Sequence, residues 1–189
     1  VTVTPDVSIS TAFGIMKEQS FRRLPVVQGG KLVGIVTEKE LQQVSPSKAT
    51  TLSVFELNYL LEKTTIKDAM SRDPITVQDD DLIEKAALLM RTNKVGALPV
   101  MHGDRLVGVI TESDIFDAFI DTMGFRNPGV RLDLRLENRA GSIAAVINAI
   151  SQAGGNSTHL SMPGDGELIV RIAEENSETV VKALTDAGY

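Results

Sequence analysis

Cysteine is absent from this 189-residue chain, which excludes disulfides, thiolate nucleophiles and thiolate metal sites, zinc fingers among them. A dense run of lysine or arginine is missing too. Nineteen basic residues against 25 acidic ones leave a formal charge of −6, with no electrostatic footprint for a phosphate backbone, so nucleic acid is not an expected partner. No stretch approaches the roughly 18 apolar residues of a membrane span, and no signal-peptide pattern opens the chain. The expectation is a soluble, cytoplasmic protein with no membrane partner. With 42% hydrophobic residues, there is material for a core and for one large domain or two small ones.

What is present is a segment written twice. Thr2 to Gln42 aligns without a gap on Thr76 to Phe116, at a constant offset of 74 positions (Thr37 onto Thr111). The best-matched stretch runs from Leu24-Pro25-Val26 through Gly34-Ile35-Val36-Thr37-Glu38, against Leu98-Pro99-Val100 through Gly108-Val109-Ile110-Thr111-Glu112. Roughly forty residues bury too little surface to fold securely alone, so the two units are expected to pack around a pseudo-twofold axis and to create two equivalent clefts.

Within each copy the hydrophobic period alternates between two and about 3.6 and reads β-α-β-β-α. In the second copy, Ile75-Thr76-Val77 reads as a short strand. Leu82, Ile83, Ala86, Ala87, Leu89 and Met90 then share one helix face. Two strands follow, Ala97 to Met101 and Arg105 to Ile110, joined at His102-Gly103-Asp104, and a closing helix spans Glu112 to Asp121. The first copy has Gly29-Gly30 at its turn but begins on Val1, with no equivalent of Ala69 to Pro74; a trimmed or disordered end is the expectation. Between the copies, Ser45-Pro46-Ser47 breaks a helix, and Val54, Leu57, Leu60 and Leu61 predict a linker helix that packs. Asn127-Pro128-Gly129 marks a boundary. Beyond it, Arg131 to Leu136 alternates as a strand, and Ile143, Val146, Ile147 and Ile150 line a helix ended by Gly154-Gly155. Thr158 to Met162 and Glu167 to Ile172 form a hairpin, and Glu178 to Ala187 a last helix. This β-α-β-β-α run lacks the final strand of a split βαβ plan.

The residues Met70 to Val77, Leu98-Pro99-Val100 and Gly108 to Asp114 resemble a CBS motif, and the two copies together resemble a CBS pair, over about residues 1 to 123. Residues 130 to 189 resemble an ACT domain through Glu137 to Ile143, although Ala140 precedes Gly141 where many members carry proline. Two CBS motifs followed by an ACT domain is similar to the acetoin-utilisation AcuB-type arrangement. The implied fold class is α/β (α+β): CBS motif 1 at 1–44, a linker with an amphipathic helix at 45–68, CBS motif 2 at 69–123, and a truncated ferredoxin-like ACT domain at 130–189.

That resemblance implies an adenosine nucleotide (AMP, ADP, ATP or S-adenosylmethionine) as a regulatory ligand between the motifs, with no required cofactor. Where Gly108 to Asp114 passes from strand to helix, free backbone N–H groups suit a phosphate, Thr111 can donate to it, and Asp114 can accept from ribose hydroxyls. Ile75, Thr76, Leu98 and Pro99 would face adenine. The alternative is that Thr111 is an N-cap and Asp114 a residue favouring the helix dipole. In copy one, Thr37 and Glu40 take these places; Glu40 has to fold back its longer arm, so the cleft with Asp114 is expected to be the stronger. Arg22 and Arg23 stand where copy two has Gly96 and Ala97, and pseudo-symmetry would point Arg23 across the axis toward phosphates at Thr111; the alternative is a solvated pair. In the ACT-like region, Asn138, Arg139, Ala140, Gly141, Ser142 and Ile143 would hold a small ligand or simply support dimerisation.

Other candidates read as structure. Asp79-Asp80-Asp81 reads as an N-cap rather than a cation site. His102 and His159 are in different domains with no evident carboxylate partner. Gly29 to Gly34 lacks the spacing of a phosphate-binding loop and reads as a hairpin turn. Met16, Met90 and Met101 read as packing residues. No metal site and no catalytic residue is expected. The expected function is a non-catalytic sensor, homodimeric, acting on an unidentified regulated protein. A structural dimerisation module with empty clefts and a small nucleotide hydrolase are the alternatives.

Overall fold

The computed structural model describes residues 1–46, 52–137 and 139–189, so Ser47 of the expected helix break and Asn138 of the expected ligand loop lie outside the described residues. The chain forms two compact units, Val1–Glu112 and Ser113–Tyr189. The fold is mixed α/β with small sheets.

In the first unit, the amphipathic helix α1 (Ile9–Gln19) is followed by the hairpin β1 (Arg23–Gln28) and β2 (Lys31–Thr37), then by α2 (Glu38–Val44). After the linker come α3 (Val54–Lys63), the single turn α4 (Ile66–Ala69) and the short β3 (Ser71–Arg72). The second copy supplies β4 (Val77–Gln78), α5 (Ile83–Asn93), β5 (Ala97–His102) and β6 (Arg105–Thr111). The duplication is exact in register. Val3 bridges Val26 in parallel as Val77 pairs with Val100, and Leu24 faces Val36 as Leu98 faces Ile110. A register shift falls at Val26/Val27 and again at Val100/Met101. The equivalent strands β2 and β6 touch, as a pseudo-twofold pairing requires. Gly29-Gly30 and Gly103 adopt positive φ in the two turns, which places the first as a hairpin turn.

The lead-in to copy two joins the copy-one sheet. β3, from the lead-in to copy two, adds antiparallel to β2 of copy one, giving the order β1-β2-β3 against β4-β5-β6. The close approach requires glycine. A Cβ at Gly34 would lie 2.8 Å from both Met70 Sδ and the Ser71 carbonyl oxygen, whereas at the equivalent Gly108 the nearest atom would be Val100 Cβ at 3.9 Å. Just ahead of β3, Ile66 is fully buried in the copy-one core with Ile9, Leu24, Val26, Val36 and Leu41. The backbone N–H groups of Ile66 and Lys67 bond to the Val7 and Pro5 carbonyls, both at 2.9 Å.

Three expectations are corrected. The strand begins at Val77, leaving Ile75 and Thr76 in the connection that leads into the parallel pair. Leu82 is the exposed N-cap of α5, so Ala86 and Met90 carry the burial while Ile83 is exposed. The linker helix α3 packs through Leu61 against the copy-one core, but Val54 and Leu60 are exposed because the helix contributes only one edge to α1.

The second unit contains α6 (Glu112–Thr122) from Ser113 onward, β7 (Val130–Arg135), α7 (Ser142–Gln152), β8 (Ser157–Gly164), β9 (Glu167–Ile172) and α8 (Ser177–Asp186). The antiparallel sheet has the order β7-β9-β8, a split βαβ with β9 inserted between β7 and β8. Leu132, Leu168, Val170 and Ile172 from the sheet bury against Val146 and Ile150 of α7 and Val180 and Leu184 of α8. Gly155 lets the chain leave α7 tightly, since a Cβ there would lie 2.5 Å from Val180 Cγ2.

The glycine contrast gives a direct test. Gly34→Ala forces β3 off β2 and should cost about 1–3 kcal/mol, the usual range for overpacking. Gly108→Ala should leave the free energy of urea unfolding within about 0.5 kcal/mol of wild type. Equal destabilisation by both would contradict the edge assignment. Ile66→Ala should cost about 2–5 kcal/mol through the cavity left in the copy-one core.

Candidate functional site

Each copy turns from its last hairpin strand directly into a helix, and the segment before the hairpin supplies a carbonyl to the first helical N–H. Glu38 N donates to the Arg22 carbonyl at 3.0 Å, and Glu112 N donates to the Gly96 carbonyl at 3.2 Å. These equivalent bonds fix the β2–α2 and β6–α6 junctions. Thr37 is the N-cap of α2 and forms a capping box with Glu40: Glu40 N donates to Thr37 Oγ1 at 3.2 Å, and Thr37 N donates to Glu40 Oε2 at 2.7 Å. The Thr37 hydroxyl also donates to that oxygen at 2.7 Å, and the Ser71 hydroxyl donates to the other, Oε1, at 2.6 Å. Both oxygens of the copy-one carboxylate are therefore engaged.

In copy two, Thr111 ends β6, and Asp114 lies in the first turn of α6. Leu98 has no exposed surface and belongs to the core, which corrects its expected place against the base. Pro99 is buried opposite Val109, Ile75 is exposed and Thr76 is half-buried.

The arginines separate. Arg22 is exposed and uses its carbonyl on Glu38, while Arg23 reaches from copy one into copy two. A Cβ at Gly96 would lie 2.6 Å from Arg23 Nη2 and 3.0 Å from Glu112 Oε2. The guanidinium thus fills space that glycine leaves open, next to the first residue of α6. Gly96 stands at the repeat position of Arg22, so a side chain there would push Arg23 away.

The aspartate run divides its work. Asp81 Oδ2 accepts from Gln78 N at 2.9 Å and Oδ1 accepts from Lys85 Nζ at 2.6 Å, so this residue caps the preceding turn rather than α5, correcting the expected N-cap. The Lys85 ammonium, followed by the Gln78 amide, holds the Asp81 carboxyl below its usual range. Asp79 pairs with His102, Nδ1 to Oδ2 2.9 Å, so His102 does have a carboxylate partner. Parallel pairing brings them together: Gln78 is opposite Met101, which sets the next residue of each strand side by side. Both side chains are exposed, and no group of three or more metal-ligating residues gathers among the described residues.

In the second unit, Arg139, Ala140, Gly141, Ser142 and Ile143 border a hollow of ≈ 640 Å³ with Ala144, Ile147 and Asn148. Gly141, at φ 89°, is the N-cap of α7, and Ser142 Oγ donates to the Glu137 carbonyl at 2.9 Å. His159 is packed against Gly124, and its Nδ1 and the Ser161 hydroxyl oxygen are buried without a hydrogen-bond partner among the described residues. Sequence reasoning missed Ser71, the His102–Asp79 pair and the His159 contact. The first had a signal, since Met70 to Pro74 stood out as a motif, but its destination in the other repeat was not legible.

The model of the CBS domain family matches residues 1–46 and 66–121. Protein MJ1225 of Methanocaldococcus jannaschii is 34% identical over 122 residues, 63% of this chain and 43% of that protein, so the chain spans less than half of that relative's length. Three solved structures are also similar. CBSX2 in complex with AMP has a TM-score of 0.54 at 28% identity and covers 64% of this chain and 88% of that one. The CBS pair of MJ0100, in complex with 5′-methylthioadenosine and S-adenosyl-L-methionine, has a TM-score of 0.50 at 28% identity over 63% and 88%. AcuB from Vibrio cholerae has a TM-score of 0.53 at 27% identity over 66% and 86%. No described helix is long and apolar enough to cross a membrane.

The Asp81 bonds predict a pH response. A carboxyl depressed in the folded state contributes stability that is present above its unfolded pKa and lost as pH falls through the folded value. The Asp81 carboxyl should therefore titrate by NMR below the ordinary aspartate value of 3.8, and Lys85→Ala should move it upward. No movement would contradict the Lys85 contribution.

Proposed function

Because this chain belongs to the CBS-domain family, we propose that it is a regulatory protein without chemistry of its own, binding a phosphorylated adenosine nucleotide where β6 enters α6. The observation that carries this reading is Arg23, whose guanidinium lies over Gly96 beside Glu112. A cation at the start of a helix adds to the partial positive charge of the helix N-terminus, and together they favour a phosphate. The AMP complex of CBSX2 supports the ligand class. The sulfonium of S-adenosylmethionine would meet like charge at Arg23, so nucleotides rank above it here even though MJ0100 takes that ligand.

In this reading Thr111 donates to the phosphate and Asp114 accepts from the ribose hydroxyls. Backbone groups at Gly108, and the segment of Ile75 and Thr76 with Pro99, face the base. Nucleotide binding favours one arrangement of the repeats over another, with coupling of about 1–3 kcal/mol, typical of such linkage.

We assign the second unit as an ACT-type domain, which with the CBS pair makes an AcuB-type arrangement. The support is its β-α-β-β-α order and β7-β9-β8 sheet. The hollow at Arg139 to Ile143 is its candidate small-ligand site. We further propose a cytoplasmic homodimer that acts on a regulated protein; the exposed Phe116 and Phe119 of α6, a helix with no buried residue, support self-association.

Isothermal titration calorimetry tests the reading with AMP, ADP, ATP, S-adenosylmethionine and GMP. Micromolar AMP binding, about −8 kcal/mol, should be lost in Asp114→Ala. It should weaken about tenfold in Arg23→Ala, while adenosine binding changes little in that variant. Gly96→Ala should act like Arg23→Ala by displacing the guanidinium. Absence of heat with every nucleotide on folded protein would leave a dimerisation module, and phosphate release from ATP with magnesium would make the protein a hydrolase instead.

A further inference from the structure

A smaller hollow, of ≈ 300 Å³, opens in the first unit beside Gln28, at the turn end of the β1–β2 hairpin and so at the opposite end of β2 from Thr37. Its floor is apolar. Pro5 is buried there, and Val33 and Met70 are half-buried against the copy-one core. Its rim carries both signs of charge: Lys67 and Arg72 supply cations, Asp73 a carboxylate and Gln28 an amide. From this combination we propose that the hollow binds a small α-amino acid with an apolar side chain.

The opposite charges line one hollow without meeting. Among the described residues no ion pair joins Asp73 to Lys67 or Arg72, which leaves room for a ligand to lie between them. The backbone holds all three in place. Lys67 N donates to the Pro5 carbonyl at 2.9 Å, Arg72 pairs with Gly34 of β2, and Asp73 is fixed at φ 47°. A residue ahead of a proline, as Asp73 is ahead of Pro74, ordinarily takes extended backbone. The other non-glycine residues at positive φ among the described residues, Ser20, Lys94 and Asn176, are helix caps. Asp73 caps no helix, and a conformation of that kind outside a cap is characteristic of ligand clamps.

An α-amino acid matches this rim sign for sign. The Arg72 guanidinium offers paired N–H donors to the ligand carboxylate, the Lys67 ammonium adds a second cation, and the Asp73 carboxylate accepts from the ligand ammonium. The apolar side chain then covers Pro5, Val33 and Met70. A plain carboxylate or phosphate would set like charge against Asp73, and a plain amine would meet two cations, so a zwitterion is favoured over either. A volume of ≈ 300 Å³ is at the lower end of small-molecule sites, which suits a molecule of this size. The hollow shares no residue with the β6–α6 junction, so amino-acid binding here and nucleotide binding there are tested separately.

The experiment is an NMR titration of the intact protein with leucine, methionine and valine, alongside two analogues of leucine: 4-methyl-2-oxopentanoate, which lacks the ammonium, and isopentylamine, which lacks the carboxylate. The amides of Gln28, Val33, Arg72 and Asp73 should move with at least one of the amino acids. If that one is leucine, it should bind about tenfold or more tightly than either analogue; for methionine or valine the matching oxo acid and amine serve in the same way. Arg72→Ala and Asp73→Asn should each weaken binding about tenfold. Both side chains are exposed, and unchanged amide signals of Ile9 and Leu41 in the copy-one core report that each variant is folded. No movement of these amides with any of the three amino acids overturns the assignment. So does an equal response to an analogue, or undiminished binding by both variants.

Discussion

Met70 and Ser71 lie so near Gly34 that a single added methyl would collide with a sulfur and a carbonyl oxygen. That close seat sets the rest of the first unit. It allows β3 to extend the copy-one sheet, carries Ile66 into the core among Ile9, Leu24 and Leu41, and brings the Ser71 hydroxyl to Glu40. The lead-in to copy two belongs in sequence to one copy and in space to the other.

The hairpins were legible because their information is local. Alternation of apolar residues, glycine at the turns and a shared register with its bulge recur at a fixed spacing, and each of these constrains only near neighbours. The elements from β7 to α8 were legible for the same reason, down to the glycine after α7. What could not be read were pairings whose partners are far apart in sequence. Asp79 meets His102 only because β4 runs parallel to β5 and sets Gln78 opposite Met101. Leu98 looked available to a base, but the strand turns its side chain into the core. The aspartates were read by composition as a helix cap, whereas Asp81 turns back to the amide of Gln78.

Within the candidate site, the reach of Arg23 toward the other copy was expected from pseudo-symmetry alone, and the space left by Gly96 gives it a physical basis. The capping box at Thr37 and Glu40 illustrates how residue types suited to a ligand also suit a helix end. Hydroxyl and carboxylate at that spacing serve either purpose, and only the surrounding chain decides between them. One group that surrounds Glu40 is a serine 31 positions away, invisible to any reading of the junction by itself.

The interleaving of the lead-in also bears on how the protein is made. Copy one ends its own helix at Val44, but its sheet and core are finished by Ile66 and Ser71. At about 5–20 residues per second of synthesis, a chain emerging from the ribosome holds an incomplete first repeat for a few seconds, with the β2 edge uncovered. During that interval the unpaired strand is open to pairing with another chain. The arrival of β3 ends the exposure and commits the first repeat before the second has been translated, so folding proceeds as an interlocked sequence rather than as two independent events.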